Sequence, residues 1–160
     1  MDLLLVRHGR SLADDEYKIE GGGYDSPLTD LGAEQAHKLA ARLEKESYTF
    51  DLIVCSPLSR ARQTAHIISA ALHTDSICDE RLAELHLGVM SARPIGMDPA
   101  PDGAGLAYQR FPQGESHLDH INRVMSFYME LQHNQTTSRV CIVAHGGTLS
   151  ILVRLILGLP

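Results

Sequence analysis

Short apolar runs alternate with amphipathic stretches along the chain. Leu3-Leu4-Leu5-Val6 does not alternate with polar residues, so it reads as a strand covered on both faces. Residues 31–46 follow a helical period, with Ala36, Leu39, Ala40 and Leu43 on one face and Thr29 or Asp30 as the cap. Residues 51–55 predict a second strand. Ser56-Pro57 then reads as a capping residue and first helical position, opening a helix to about Leu72 with Leu58, Ala61, Ala65, Ile68 and Leu72 inward. A short strand is expected over 75–78. Ser116 should cap a further helix, braced by Glu115, with Leu118, Ile121, Val124 and Tyr128 inward. Residues 139–144 give the strongest strand signal, and 147–157 a helix closed by Gly158 and Pro160. The stretch 91–105 is rich in Gly, Pro and Ala and has no period, which predicts a covering loop.

Strand–helix alternation predicts an α/β fold, a three-layer α/β/α sandwich around a mostly parallel sheet. The 160 residues fit a single domain. A formal net charge of −6 argues against nucleic acid as partner, so any positive pocket must be local. No run approaches the ~18–20 apolar residues of a membrane span. The N-terminus lacks the basic segment and cleavage site of a signal peptide, which predicts a cytoplasmic protein. Cys55, Cys78 and Cys141 are an odd count without zinc spacing, and are expected to be buried reduced thiols. His117 and His120 share a helical face without a third ligand at hand, so they read as solvated histidines and no metal site is expected. The sequence does not reveal an oligomeric state.

In open parallel sheets ligands lie beyond the carboxyl ends of the strands. Those ends here carry Arg7-His8-Gly9, Ser56-Pro57-Leu58-Ser59-Arg60 and His145-Gly146-Gly147. Two histidines and two arginines at three strand ends suit an anion. A neutral imidazole attacks phosphorus through one nitrogen when the other is held by a hydrogen bond. Arginine grips phosphate oxygens as a fork and keeps its charge. Gly9 and Gly146 would let backbone approach the phosphate, and Gly22, in the run Gly21-Gly22-Gly23-Tyr24, could offer a backbone N–H.

These residues, with Ala61-x-Gln63-Thr64, Asp25-Ser26-Pro27-Leu28-Thr29-Asp30-Leu31-Gly32, Leu82-Ala83-Glu84-Leu85 and Pro112-Gln113-Gly114-Glu115-Ser116, resemble the histidine phosphatase superfamily, phosphoglycerate mutase-like branch. The resemblance runs in order along the whole chain. It implies that His8 is the nucleophile and phosphoryl acceptor. Arg7, Arg60 and His145 would bind the phosphoryl oxygens, and Glu84 would be the general acid and then base. It implies no cofactor and a small phosphorylated metabolite as substrate. After Arg7-His8-Gly9 the family commonly has Glu, Ser or Thr, then Asn. Here Arg10, Ser11 and Asp14 stand there. Ser11 fits a phosphate contact. Asp14 would repel a phosphate unless protonated or turned away, and Arg10 would pair with it or face the substrate.

Three functions compete: a phosphatase, a mutase moving phosphate within one substrate, and a non-catalytic phospho-ligand module. The short insert, about 86–114, favours hydrolysis over a mutase, which must keep water out. The module predicts loss of His8, Glu84 or an arginine, and none is lost. Relatives continue beyond a helix like the one ending at Pro160, so the chain is expected to be compact or a shortened form, with a sheet edge to protect.

Overall fold

The computed structural model describes residues 1–96, 107–133 and 138–159. In chain order these form β1 (Asp2–Arg7), α1 (Leu12–Asp15), α2 (Asp30–Lys45), β2 (Leu52–Cys55), α3 (Ser59–Leu72), β3 (Ser76–Cys78), α4 (His117–His133), β4 (Arg139–Ala144) and α5 (Gly146–Leu157). The sheet is entirely parallel, in the order β1-β4-β2-β3. That is the α/β sandwich the sequence predicts.

Alternation on β4 splits the core in two. Cys141 and Val143 join Ile53, Cys55 and Val6 beneath α2 and α3, which supply Ala40, Leu43, Ala61, Ala65 and Ile68. Val140, Ile142 and Ala144 face α4 and α5, packing with Val124, Phe127, Leu131 and Leu152. β4 is inaccessible from Val140 to Ala144 because both neighbouring strands and both helical layers cover it. β1 lies at the edge, so its leucines touch both layers yet stay only partly buried, less covered than their unbroken run implies.

Leu152 is fully buried against β4. Leu152→Ala should therefore destabilise the fold by about 3 kcal/mol, through lost transfer free energy and the cavity left behind. Urea unfolding followed by circular dichroism checks this. A loss below about 1 kcal/mol would mean that α5 is not fixed by this contact.

Several local expectations are corrected. Ser56 does not cap α3. The helix starts at Ser59, and Asp25 caps it from outside, accepting from the Ser59 amide (2.6 Å) and hydroxyl (2.8 Å). α4 buries His120, Val124, Phe127 and Leu131, leaving Leu118 and Ile121 exposed. The helix is thus rotated from the expected face, because the His120 ring has a polar partner inside (see below). Asp14 lies in α1, a single turn with a capping box. Thr29 caps α2 as expected, accepting from the Gly32 amide. Cys78 is exposed on the outer strand, whereas Cys55 and Cys141 are buried. Residues 97–105 of the covering loop and Pro160 lie outside the described residues.

Candidate active site

Parallel pairing assembles the site. The ladder runs one residue past the strands, with the His8 amide donating to the Ala144 carbonyl (3.1 Å) and the Ser56 amide to the Val143 carbonyl (3.0 Å). His8, Ser56 and His145 therefore emerge side by side at the carboxyl edge. The His8 and His145 rings lie 5.0 Å apart, centroid to centroid.

His8 Nδ1 lies 2.7 Å from the Gly9 carbonyl, which can only accept. The proton thus sits on Nδ1, and Nε2 keeps its lone pair. Burial, with help from the Arg60 and Arg7 charges, pushes the His8 pKa down to about 4, so the ring is neutral near pH 7. Arg60 is 1% exposed, on the first turn of α3. Its Nε donates to His8 Nε2 (3.3 Å) and lies 3.2 Å from Glu20, while Nη1 and Nη2 donate to the Tyr24 and Gly21 carbonyls. A guanidinium has five N–H donors, so two remain on the terminal nitrogens. Arg7 is exposed at the end of β1.

His145 is 1% exposed. Its Nε2 shares a hydrogen bond with Ser56 Oγ (2.7 Å), and its Nδ1 is buried without a protein partner. Burial, then the Arg60 and His8 charges, lowers its pKa to about 2.

Glu84 approaches from the segment after β3. Its carboxylate accepts from the Leu85 amide (2.9 Å) and from the Gly147 amide in the first turn of α5 (2.8 Å). A Cβ at residue 147 would lie 2.4 Å from this carboxylate, so any larger residue there would push the Glu84 side chain aside. By contrast, a Cβ at Gly146 would meet only open space. His120 Nε2 lies 3.8 Å from Glu84 and 3.0 Å from Thr148 Oγ1. Thr148 Oγ1 donates to the Ala83 carbonyl, so it must accept from His120, which fixes that proton on Nε2. Burial, then the Arg123 charge, lowers the His120 pKa to about 4. His120 is thus a buried, hydrogen-bonded ring, not a solvated one.

Four residues to which the sequence assigns no role in the chemistry hold this arrangement. Arg123 donates to the Arg81, Ala83 and Glu84 carbonyls, clamping the segment that carries Glu84. Glu115 meets Arg123 through both oxygens and accepts from the His86 amide. Burial works to raise the Glu115 carboxyl, but Arg123 and the His86 amide hold it below the usual range. Glu115 thus braces the Glu84 segment, and the helix cap falls to Ser116 and Asp119. Glu20 faces Arg60, and Ser56 orients His145.

Other expected contacts do not form as predicted. The Ser11 and Asp14 side chains cap α1 together, and Ser11 is fully buried, so its hydroxyl is committed to the cap. Burial tends to raise the Asp14 carboxyl, but bonds from Ser11 and the nearby His8 and Arg7 hold it low. Arg10 pairs with Asp15, not Asp14. The Gly22 amide donates to the Leu85 carbonyl (2.7 Å) and is not free for substrate. The Gly9 amide donates to Thr64 Oγ1, and a Cβ at Gly9 would strike the Gly32 carbonyl at 2.3 Å. The packing of α2 therefore requires that glycine. Among the described residues, no three His, Cys, Asp or Glu side chains cluster to hold a metal ion, and no helix is long and apolar enough to cross a membrane.

A parallel sheet with two imidazoles and a buried arginine at its carboxyl edge is the phosphoglycerate mutase-like α/β arrangement. Residues 3–160 match the histidine phosphatase superfamily (branch 1), and the chain belongs to that family. A Proteus mirabilis protein named a probable phosphoglycerate mutase is 36% identical over 173 residues, covering all of this chain and 76% of that protein. The crystal structure of the Shigella flexneri alpha-ribazole phosphatase is 30% identical, with a TM-score of 0.88, over all of this chain and 81% of that one. A mycobacterial glucosyl-3-phosphoglycerate phosphatase solved with vanadate is 31% identical, with a TM-score of 0.84, over 99% of this chain and 82% of that one.

Proposed function

We propose that this protein is a cytoplasmic phosphatase that hydrolyses small phosphomonoesters without a metal ion, through a phosphohistidine on His8. The observation that carries this reading is the His8 ring itself. It is neutral, its Nδ1 proton is tied to Gly9, and its Nε2 lone pair faces Arg60. In the first step Nε2 forms a bond to phosphorus as the ester P–O bond breaks. Glu84, in its acid form, gives its proton to the departing oxygen. In the second step Glu84, now a carboxylate, takes a proton from water. The water oxygen bonds to phosphorus, the P–N bond breaks, and phosphate leaves. Arg7 and the two remaining donors of Arg60 stabilise the charge on the phosphoryl oxygens. His145 adds a donor when the Ser56 hydroxyl donates a hydrogen bond to Nε2, because the ring proton then lies on the unpartnered Nδ1.

These cationic groups do the electrostatic work that metal ions do in other phosphoryl transfers. Two named phosphatases among the structural relatives, and only about thirty residues between Glu84 and Glu115, favour water as acceptor over a second hydroxyl of the substrate.

Hydrolysis of p-nitrophenyl phosphate in excess EDTA tests the proposal, with turnover expected to survive. Loss in EDTA that magnesium restores would overturn the metal-free reading. The pH profile adds a second check. Protonation of His8 removes the nucleophile, so kcat/KM should hold down to about pH 5 and fall as pH drops through about 4.

Stability falls over a neighbouring window. His8, His120 and His145 stay neutral in the fold but take protons near pH 6.5 when unfolded. Their contribution is complete above about 6.5 and is lost as pH falls below it. Circular dichroism at each pH separates the two limbs. A kcat/KM limb centred near 6.5 in still-folded protein would overturn the assignment of His8 as a depressed, neutral nucleophile.

A further inference from the structure

A cavity of about 370 Å³ opens directly beside Glu84. Gly21 and Gly147 form its inner end, next to the carbonyl that holds Arg60 and the amide that holds Glu84. Leu85 and Leu87 form one wall, and Ile121 with His117 and His120 of α4 another. The third is one face of α5, where Gly147, Ile151 and Arg154 follow one another at helical spacing. Arg154 is exposed and, among the described residues, makes no ion pair.

A group leaving from phosphorus must stand beside the acid that protonates it. Resting on the hydrolase reading above, we propose that this cavity receives the alcohol half of the ester. We propose further that the preferred alcohol has an apolar body with an anionic group at its far end, held by Arg154. Seven residues separate Gly147 from Arg154, about 10 Å along the helix at 1.5 Å per residue. The arginine side chain leans back toward the helix N-terminus, so the anion lies roughly 6–10 Å from the ester oxygen. The leucine and isoleucine side chains favour an aryl or alkyl body, since hydroxyls set against them would lose water without finding partners. Phosphoglycerate fits poorly, because only a short polar carbon chain separates its carboxylate from its ester oxygen.

Two measurements test this. The first compares KM for phenyl phosphate, 4-(2-carboxyethyl)phenyl phosphate and 3-phosphoglycerate. The two aryl leaving groups are of similar basicity, so a difference in KM reports the tail. The carboxylated ester should have a KM about tenfold lower than phenyl phosphate, equivalent to about 1.4 kcal/mol. Arg154→Ala should bring that ratio to near one, and Arg154→Glu should transfer the preference to 4-(2-aminoethyl)phenyl phosphate. A phosphonate-tailed ester distinguishes a carboxylate partner from a dianion.

The second is calorimetric titration of 3-(4-hydroxyphenyl)propanoate in the presence of inorganic phosphate, which reads the cavity without chemistry. Binding should be lost in Arg154→Ala and weakened in Ile121→Asn. Turnover of the esters without a tail preference, or tighter use of phosphoglycerate, would overturn the cavity assignment and leave the hydrolase reading standing. Binding of the phenol without turnover of any ester would do the reverse.

Discussion

Replacing His8 with alanine should lower kcat/KM for any phosphomonoester at least about a thousandfold, because no other side chain can take its place as nucleophile. His145 lies closest, but its Nε2 is bound to Ser56, and burial keeps the ring from gaining a proton to exchange. Brief incubation of wild-type protein with a 32P-labelled ester, followed by quenching in alkali, should trap an alkali-stable, acid-labile label on the chain. The variant should trap none. Circular dichroism must show the variant folded, as expected for a side chain at the rim of the sheet. Equal activity in wild type and variant, or equal labelling, would mean that His8 is not the acceptor.

Glu84→Gln should produce the second large loss, about a hundredfold to ten-thousandfold in kcat for an alkyl ester. Glutamine keeps the shape of the side chain but cannot give up a proton to the alkoxide. The leaving group provides the diagnosis. p-Nitrophenolate departs without protonation, so rapid-quench measurement of the first step should show a much smaller effect with that ester. The second step should be slow for both, since neither substrate supplies a base to activate water. Labelled phosphohistidine should therefore accumulate in the variant during turnover of the nitrophenyl ester. Equal loss in the first step for both esters would remove Glu84 from the role of acid and leave it as a brace for the α5 amide.

The sequence made the strand ends legible because parallel topology converts distance along the chain into adjacency. Arg7-His8, Ser56 to Arg60 and His145 each follow an apolar run, and pairing of β1, β4 and β2 brings them together. What the sequence could not show was how each polar group is used. Ser11 fits a phosphate contact by its place after Arg7-His8-Gly9, yet a serine and an acidic residue three apart also form a capping box, and α1 takes that form. Gly22 looked like a free amide, but only the approach of residues 84–86 reveals its carbonyl partner. Arg123 and Glu115 carried no motif that marked them as a clamp. Their partners are mostly backbone carbonyls and amides, which any sequence supplies. The α4 register differs from the apolar pattern because a buried histidine with a threonine partner reads as polar until Thr148 is placed beside it.

The ends of the 86–114 insert are zipped together. The Glu115 amide donates to the His86 carbonyl (2.9 Å), and the Val89 amide donates to the Pro112 carbonyl (3.0 Å). Arg123 ties the Glu84 side of this junction to α4. The chain leaves this junction at residue 89 and returns to it at residue 112, and on the way residues 92–95 pair with Tyr17 and Ile19. Doubling the length of such a loop costs only about 0.6 kcal/mol in closure entropy. Changes of length beyond residue 95 therefore leave the Glu84 carboxylate held by its own amides and by the Arg123 clamp. The length of this segment and the placement of the Glu84 carboxylate are thus set by different pieces of chain, and one can drift without the other.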